Sequence, residues 1–203
     1  MNTVSARLKE APIVAILRGV TVERSADVAS VLIECGIRLI EVPLNSPQPF
    51  KSIEKMCTHF EGKAIFGAGT VTTADQVDRI KDVGGTLVVS PHTDRTLIER
   101  SLKNGLEPIP GFYTATEAMN AINFGAQYLK FFPANLQIFH ALKAILPNRA
   151  KVIAVGGIKT ETLSEWTQIV GFGVGSALFR PEDSLDEIYK KASRFVHAVR
   201  GWR

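Results

Sequence analysis

A chain of 203 residues with 45% hydrophobic and 22% charged side chains carries enough apolar material for one core, and a barrel of this length is ordinary as a single domain. Its formal net charge of +4 is spread along the sequence with no basic stripe interleaved with aromatics, which argues against nucleic acid and suits a small anionic metabolite. The first apolar run, residues 11 to 17, is far short of the roughly 20 residues of a membrane span and has no small-residue cleavage site, so neither a membrane nor export is expected.

Residues 1 to 10 are expected to form an extra amphipathic helix whose Leu8 helps to close one end of the fold. PIVAILRG then supplies a first strand. From there a unit repeats: a polar periodic stretch, a glycine, a short apolar run. Gly36, Gly62, Gly84, Gly105 and Gly125 follow one another at intervals of 20 to 26 residues. Glycine just past a helix accepts the left-handed capping conformation, and the β-branched run after it reads as a buried parallel strand. The interval from Gly125 to Gly171 spans two periods, and the missing unit is Pro147 ending a helix before KVIAVGG.

The strands are expected near 13 to 18, 38 to 43, 64 to 69, 86 to 90, 106 to 110, 127 to 132, 151 to 155 and 172 to 175. Helices are expected near 22 to 34, 47 to 59, 73 to 82, 93 to 103, 114 to 123, 136 to 145, 160 to 168 and 184 to 199. Eight alternations predict an α/β fold, a single (β/α)8 TIM barrel over 1 to 203. An open doubly wound sheet has the same local pattern, and the count of eight favours closure. Cys35, at the end of one expected helix, and Cys57, within another, have no neighbour at metal or redox spacing, so reduced thiols and a cytoplasmic location are expected. Arg194, Arg200 and Arg203 read as the solvated face of the last helix rather than a binding patch.

In such a barrel the active site lies at the C-terminal ends of the strands. Two charged residues stand there inside apolar runs, Glu41 in LIEVPLNSP and Lys130 in YLKFFP. Burial disfavours an ammonium, so Lys130 is either a neutral-amine nucleophile or one half of a structural ion pair. Strands of like parity feed the same interior layers, which lets Glu41 and Lys130 face one cavity, either to neutralise each other or to place a proton relay beside the amine.

AVGGI and GVGSALF end the seventh and eighth strands, where barrels commonly bind phosphate through backbone amides, and there Gly156, Gly157, Gly175 and Ser176 are candidate contacts. A lone Gly-Gly is equally explained by a tight turn, but glycine-bearing ends on two adjacent strands favour phosphate. Arg18 offers a planar fork to a carboxylate with Thr70 beside it, unless it only closes a strand-end salt bridge. His59, His92, His140 and His197 lack metal spacing, and His92, at the rim, is an outside candidate for the site.

AILRG, IEVPLNSP, GAGTV, YLKFFPA, AVGGI and GVGSALF, in this order over residues 11 to 200, resemble the 2-dehydro-3-deoxyphosphogluconate / 4-hydroxy-2-oxoglutarate aldolase family of class I aldolases. The resemblance implies a Schiff-base lysine at Lys130 and a proton-relay glutamate at Glu41. It implies carboxylate contacts at Arg18 and Thr70, and phosphate contacts at Gly156, Gly157, Gly175 and Ser176. It further implies a phosphorylated keto-deoxy sugar acid as substrate, no metal or other cofactor, and a homotrimer. Two positions depart from the gluconate-type pattern: Asn45 stands where an arginine is usual and Val155 where a threonine is usual. Both departures resemble the branch that acts on the galactonate epimer, which differs at C4, and a lost hydroxyl at Val155 either shifts or relaxes that preference. The gluconate epimer or both epimers remain the alternative. More remote are a phosphosugar isomerase or epimerase on the same barrel, which would not need Lys130, and a phosphosugar-binding protein without catalysis.

Overall fold

The computed structural model describes residues 3–202. A short helix, α1 (Val4–Glu10), precedes strand β1 (Ile13–Ile16) and α2 (Val22–Glu34). Then come β2 (Leu39–Pro43), α3 (Pro49–His59), β3 (Ile65–Gly69), α4 (Ala74–Asp82), β4 (Leu87–Val89), α5 (Arg95–Lys103), β5 (Glu107–Ile109), β6 (Gly111–Phe112) and α6 (Ala115–Asn123). The chain continues with β7 (Tyr128–Phe131), α7 (Leu136–Lys143), β8 (Lys151–Val155), a 3-10 turn (Thr160–Glu165), β9 (Gly171–Val174) and α8 (Leu185–Arg200).

All the pairings are parallel, and the last strand β9 lies beside the first, β1, with Val14 opposite Gly173. The fifth barrel strand is β5 and β6 together. Pro110 interrupts it because proline has no N–H for the ladder. Its first part pairs with β4 and its second with β7, and the Pro110 carbonyl accepts from the Lys130 amide at 2.8 Å. Nine segments thus make an eight-stranded barrel, and the open-sheet alternative falls.

Residues of alternate register divide into two cores. Val14, Leu39, Ile65, Leu87, Ile109, Tyr128 and Ile153 point inward, and Val4 and Leu8 of α1 close this interior from below. The other residues of the strands, such as Ile40, Val42, Leu129 and Phe131, meet the apolar stripes of the surrounding helices. The expected α-helix at 160 to 168 is a 3-10 turn ending at Glu165. TETLSEW has only Leu163 and Trp166 to bury, three residues apart, a spacing that matches three residues per turn. The expected N-terminal helix begins at Val4, and residues 1 and 2 lie outside the described residues, as does Arg203. Among the described residues no helix is long and apolar enough to cross a membrane.

Candidate active site

Alternation along β2 and β7 sets the site. Leu39 and Glu41 face inward, as do Tyr128 and Lys130, so each strand gives the interior an apolar residue below and an ionisable one above. Below them only a void of about 10 Å³ remains, too small for anything larger than a water. Above them opens a cavity of about 300 Å³ lined by Arg18, Glu41, Thr70, Lys130, Val155, Gly156, Gly157, Gly175 and Ser176, together with Phe132, Pro91, Ile158 and Ala177.

Glycine on the neighbouring strands makes the room. A Cβ on Gly69 would stand 2.0 Å from Glu41 Oε2, and one on Gly173 would stand 2.6 Å from Val155 Cγ2. Glu41 is 2% exposed, and its Oε2 is buried without a hydrogen-bond partner. Burial pushes its carboxyl up to about 7, against the pull of the Lys130 and Arg18 charges and the Gly69 amide.

Lys130 is 9% exposed. Burial holds its amine below the usual lysine range, Arg18 pushes the same way, and Glu41 opposes both. No nitrogen–oxygen contact of 4.0 Å or less joins Lys130 to Glu41, so the structural ion pair open on sequence grounds is not formed. Its Nζ lies 5.0 Å from the centre of the Phe132 ring, which is 43% exposed at the cavity wall. The amine therefore faces the same space as an unsatisfied carboxyl oxygen, with more of its neutral form at hand than an exposed lysine has.

At one side of the cavity Arg18 donates to Asn45 Oδ1, and its Nη2 lies 3.5 Å from Thr70 Oγ1. Thr70 has φ 57, a left-handed conformation that a β-branched residue adopts at a cost of about 1–3 kcal/mol. Asn45 is not part of the cavity wall and reaches it only through Arg18. The Arg18 loop is tied to the loop after β2 by Ser46 Oγ, which accepts from the Gly19 amide at 2.9 Å.

At the other side Gly156 and Gly157 have φ 102 and φ 68, so the turn after β8 needs glycine. After β9, Leu178 and Phe179 donate back to the Gly175 carbonyl at 2.8 and 3.0 Å, forming a tight turn. Among the described residues the amides of Gly157, Ser176 and Ala177 have no acceptor, which leaves three donors and the Ser176 hydroxyl for an anion. Each loop thus turns the chain and also leaves at least one amide without an acceptor at the cavity wall.

Of the candidate residues, only Asn45 stands back from the wall. His92 is exposed and does not line it. Phe132, Pro91, Ile158 and Ala177 carried no assignment from sequence. Phe132 shares a face with Lys130 two residues on, and that period was the signal available for it. Arg194 pairs with Glu161 on the exposed side of α8, consistent with a solvated face.

Residues 4–190 match the family model described as "KDPG and KHG aldolase". A curated relative from Escherichia coli (strain K12), "2-dehydro-3-deoxy-6-phosphogalactonate aldolase", is 40% identical over 194 residues, 93% of this chain and 95% of that protein. A solved structure described as "Native KDPGal structure" superposes with a TM-score of 0.92 at 39% identity, covering 95% of this chain and 96% of that one. A KDPG aldolase from Legionella pneumophila, solved with pyruvate captured as a covalent carbinolamine, gives a TM-score of 0.82 at 25% identity over 97% of this chain and 96% of that one.

Proposed function

The chain belongs to the KDPG and KHG aldolase family, and from that premise we propose that it cleaves 2-dehydro-3-deoxy-6-phosphogalactonate to pyruvate and D-glyceraldehyde 3-phosphate through an imine on Lys130. The observation that carries this reading is a buried amine and a buried carboxyl with one unpartnered oxygen on one cavity, between a guanidinium and a turn of free amides.

Neutral Lys130 attacks the C2 ketone, and the carbinolamine loses water to give a protonated imine. With the C1 carboxylate on Arg18 and Thr70 and the phosphate on the amides of Gly157, Ser176 and Ala177, the C3–C4 bond is held beside Glu41. Glu41, directly or through a water, takes the C4 hydroxyl proton as that bond breaks and the imine accepts the electron pair as an enamine. The aldehyde leaves, C3 is protonated, and hydrolysis of the imine releases pyruvate. The carbinolamine captured in the Legionella pneumophila relative supports the first step.

The galactonate epimer is favoured by Asn45 and Val155 and by the activity named for the E. coli relative. Val155 sits at the wall with a side chain that cannot donate or accept, so hydroxyl recognition at C4 falls to its neighbours. Borohydride reduction in the presence of pyruvate should leave a stable adduct on Lys130, and an unmodified Lys130 overturns the mechanism. In a paired assay the galactonate epimer should be cleaved at least about tenfold faster than the gluconate epimer, the ratio that ~1.4 kcal/mol sets. Equal rates would replace the assignment with a dual-epimer aldolase. A homotrimer, implied by the family resemblance, belongs to the same proposal, and a light-scattering mass of one or two chains would remove it. Two unpaired thiols, Cys35 and Cys57, fit a cytoplasmic location, which fractionation would check.

A further inference from the structure

The turn that carries Ser176 is held from behind. Leu178 and Phe179 are buried and fix its first half. Its second half leads into a tighter loop, where the Asp183 amide donates to the Arg180 carbonyl at 3.1 Å. Asp183 Oδ2 accepts from the Arg180 amide at 2.7 Å and from Lys191 Nζ of α8 at 2.6 Å, and only 7% of the residue is exposed. Arg24 of α2 closes the other side by donating to the carbonyls of Pro181 and Asp183.

This loop touches both ends of the cavity. Arg180 Nε lies 3.4 Å from the Ser176 carbonyl, on the turn that presents the free amides. Pro181 packs on Gly19, the residue after Arg18, so closely that a Cβ there would stand 2.8 Å from Pro181 Cγ. Gly19 also has φ 84, so both its conformation and its contact exclude a side chain.

We propose that Asp183 is a positioning residue for phosphate recognition: clamped between α2 and α8, it holds the 180 to 183 loop so that the Ser176 and Ala177 amides stand at a fixed distance from Arg18. The proposal rests on the reading of those amides as the phosphate site. Asp183 does not touch the substrate. It acts through Arg180 and the turn, and a fixed separation lets phosphate binding contribute to orienting the distant C3–C4 bond. An ion pair that merely started α8 would affect every reaction of the enzyme alike.

Three rates separate these cases: cleavage of the phosphorylated substrate, cleavage of its unphosphorylated counterpart, and deuterium exchange at the pyruvate methyl group, which uses Lys130 and Glu41 but no phosphate. Wild type should cleave the phosphorylated compound with much the lower KM, and no such difference would fell the phosphate-site reading itself. Given that difference, Asp183→Ala should raise KM for the phosphorylated substrate about tenfold. Its KM for the unphosphorylated compound and its exchange rate should stay within about twofold. Asp183→Asn, which keeps an acceptor for the Arg180 amide, should recover part of the loss. Arg180→Met alters an exposed side chain and should show the same split in smaller measure even where Asp183→Ala fails to fold. A parallel fall in all three rates, or no change in any, overturns the proposal.

Discussion

Glu41 shows how one residue links stability to chemistry. Its carboxyl is raised from 4.5 to about 7, so between these values the folded protein keeps a proton that the unfolded chain has lost. Stability therefore falls as pH rises through this window and is lowest above about 7. Glu41→Gln has no such proton, so denaturant melts between pH 4.5 and 7 should give it a flatter stability curve than wild type. Identical slopes would mean that Glu41 does not hold its proton. The same variant should lose most cleavage activity, since Gln cannot accept the C4 proton. The identity of both ionisable residues was legible in the sequence because each breaks an apolar run. Their lack of direct pairing was not, because it depends on the space that Gly69 and its neighbours leave across strands.

The helices owe their places to local signals that survive in the fold. Thr114 Oγ1 accepts from the Glu117 amide at 3.3 Å while Glu117 Oε2 accepts from the Thr114 amide at 2.8 Å, a reciprocal cap that starts α6. Thr114→Ala should lower stability by about 1 kcal/mol, read from the urea midpoint, with KM unchanged because Thr114 does not line the cavity. A large change in KM would show that α6 takes part in substrate binding. Glycine punctuation made the strand count readable, whereas the 3-10 turn before β9 was not: its hydroxyl-rich sequence is compatible with several turn types, and the burial of Leu163 and Trp166 selects one. The fifth strand, expected near 106 to 110, continues past Pro110 through Gly111 and Phe112. That its first part pairs with β4 and its second with β7 appears only once those strands are in place.

Across the whole molecule, the apolar plug and the ionisable pair occupy opposite ends of the barrel interior. Leu8 enters the interior from below, in one cluster with Val14, Leu39 and Ile65, and lies against Gly171 at the start of β9. Leu8→Ala should cost about 3 kcal/mol in denaturant melts while KM and kcat hold. A matching loss of turnover in the folded variant would show that the lower plug supports the catalytic layer. The sequence by itself determined the eight-unit barrel, the place of one ionisable residue inside each of two apolar runs, and the glycines at the ends of the seventh and eighth barrel strands. These follow from periodicity, from charge within apolar runs and from backbone sterics, all of which are local. Only the tertiary structure decided that Lys130 and Glu41 share a cavity without pairing, that Asn45 reaches it through Arg18, and that Asp183 backs the Ser176 turn. Those depend on distances between residues remote in the chain, which packing sets and local patterns do not encode.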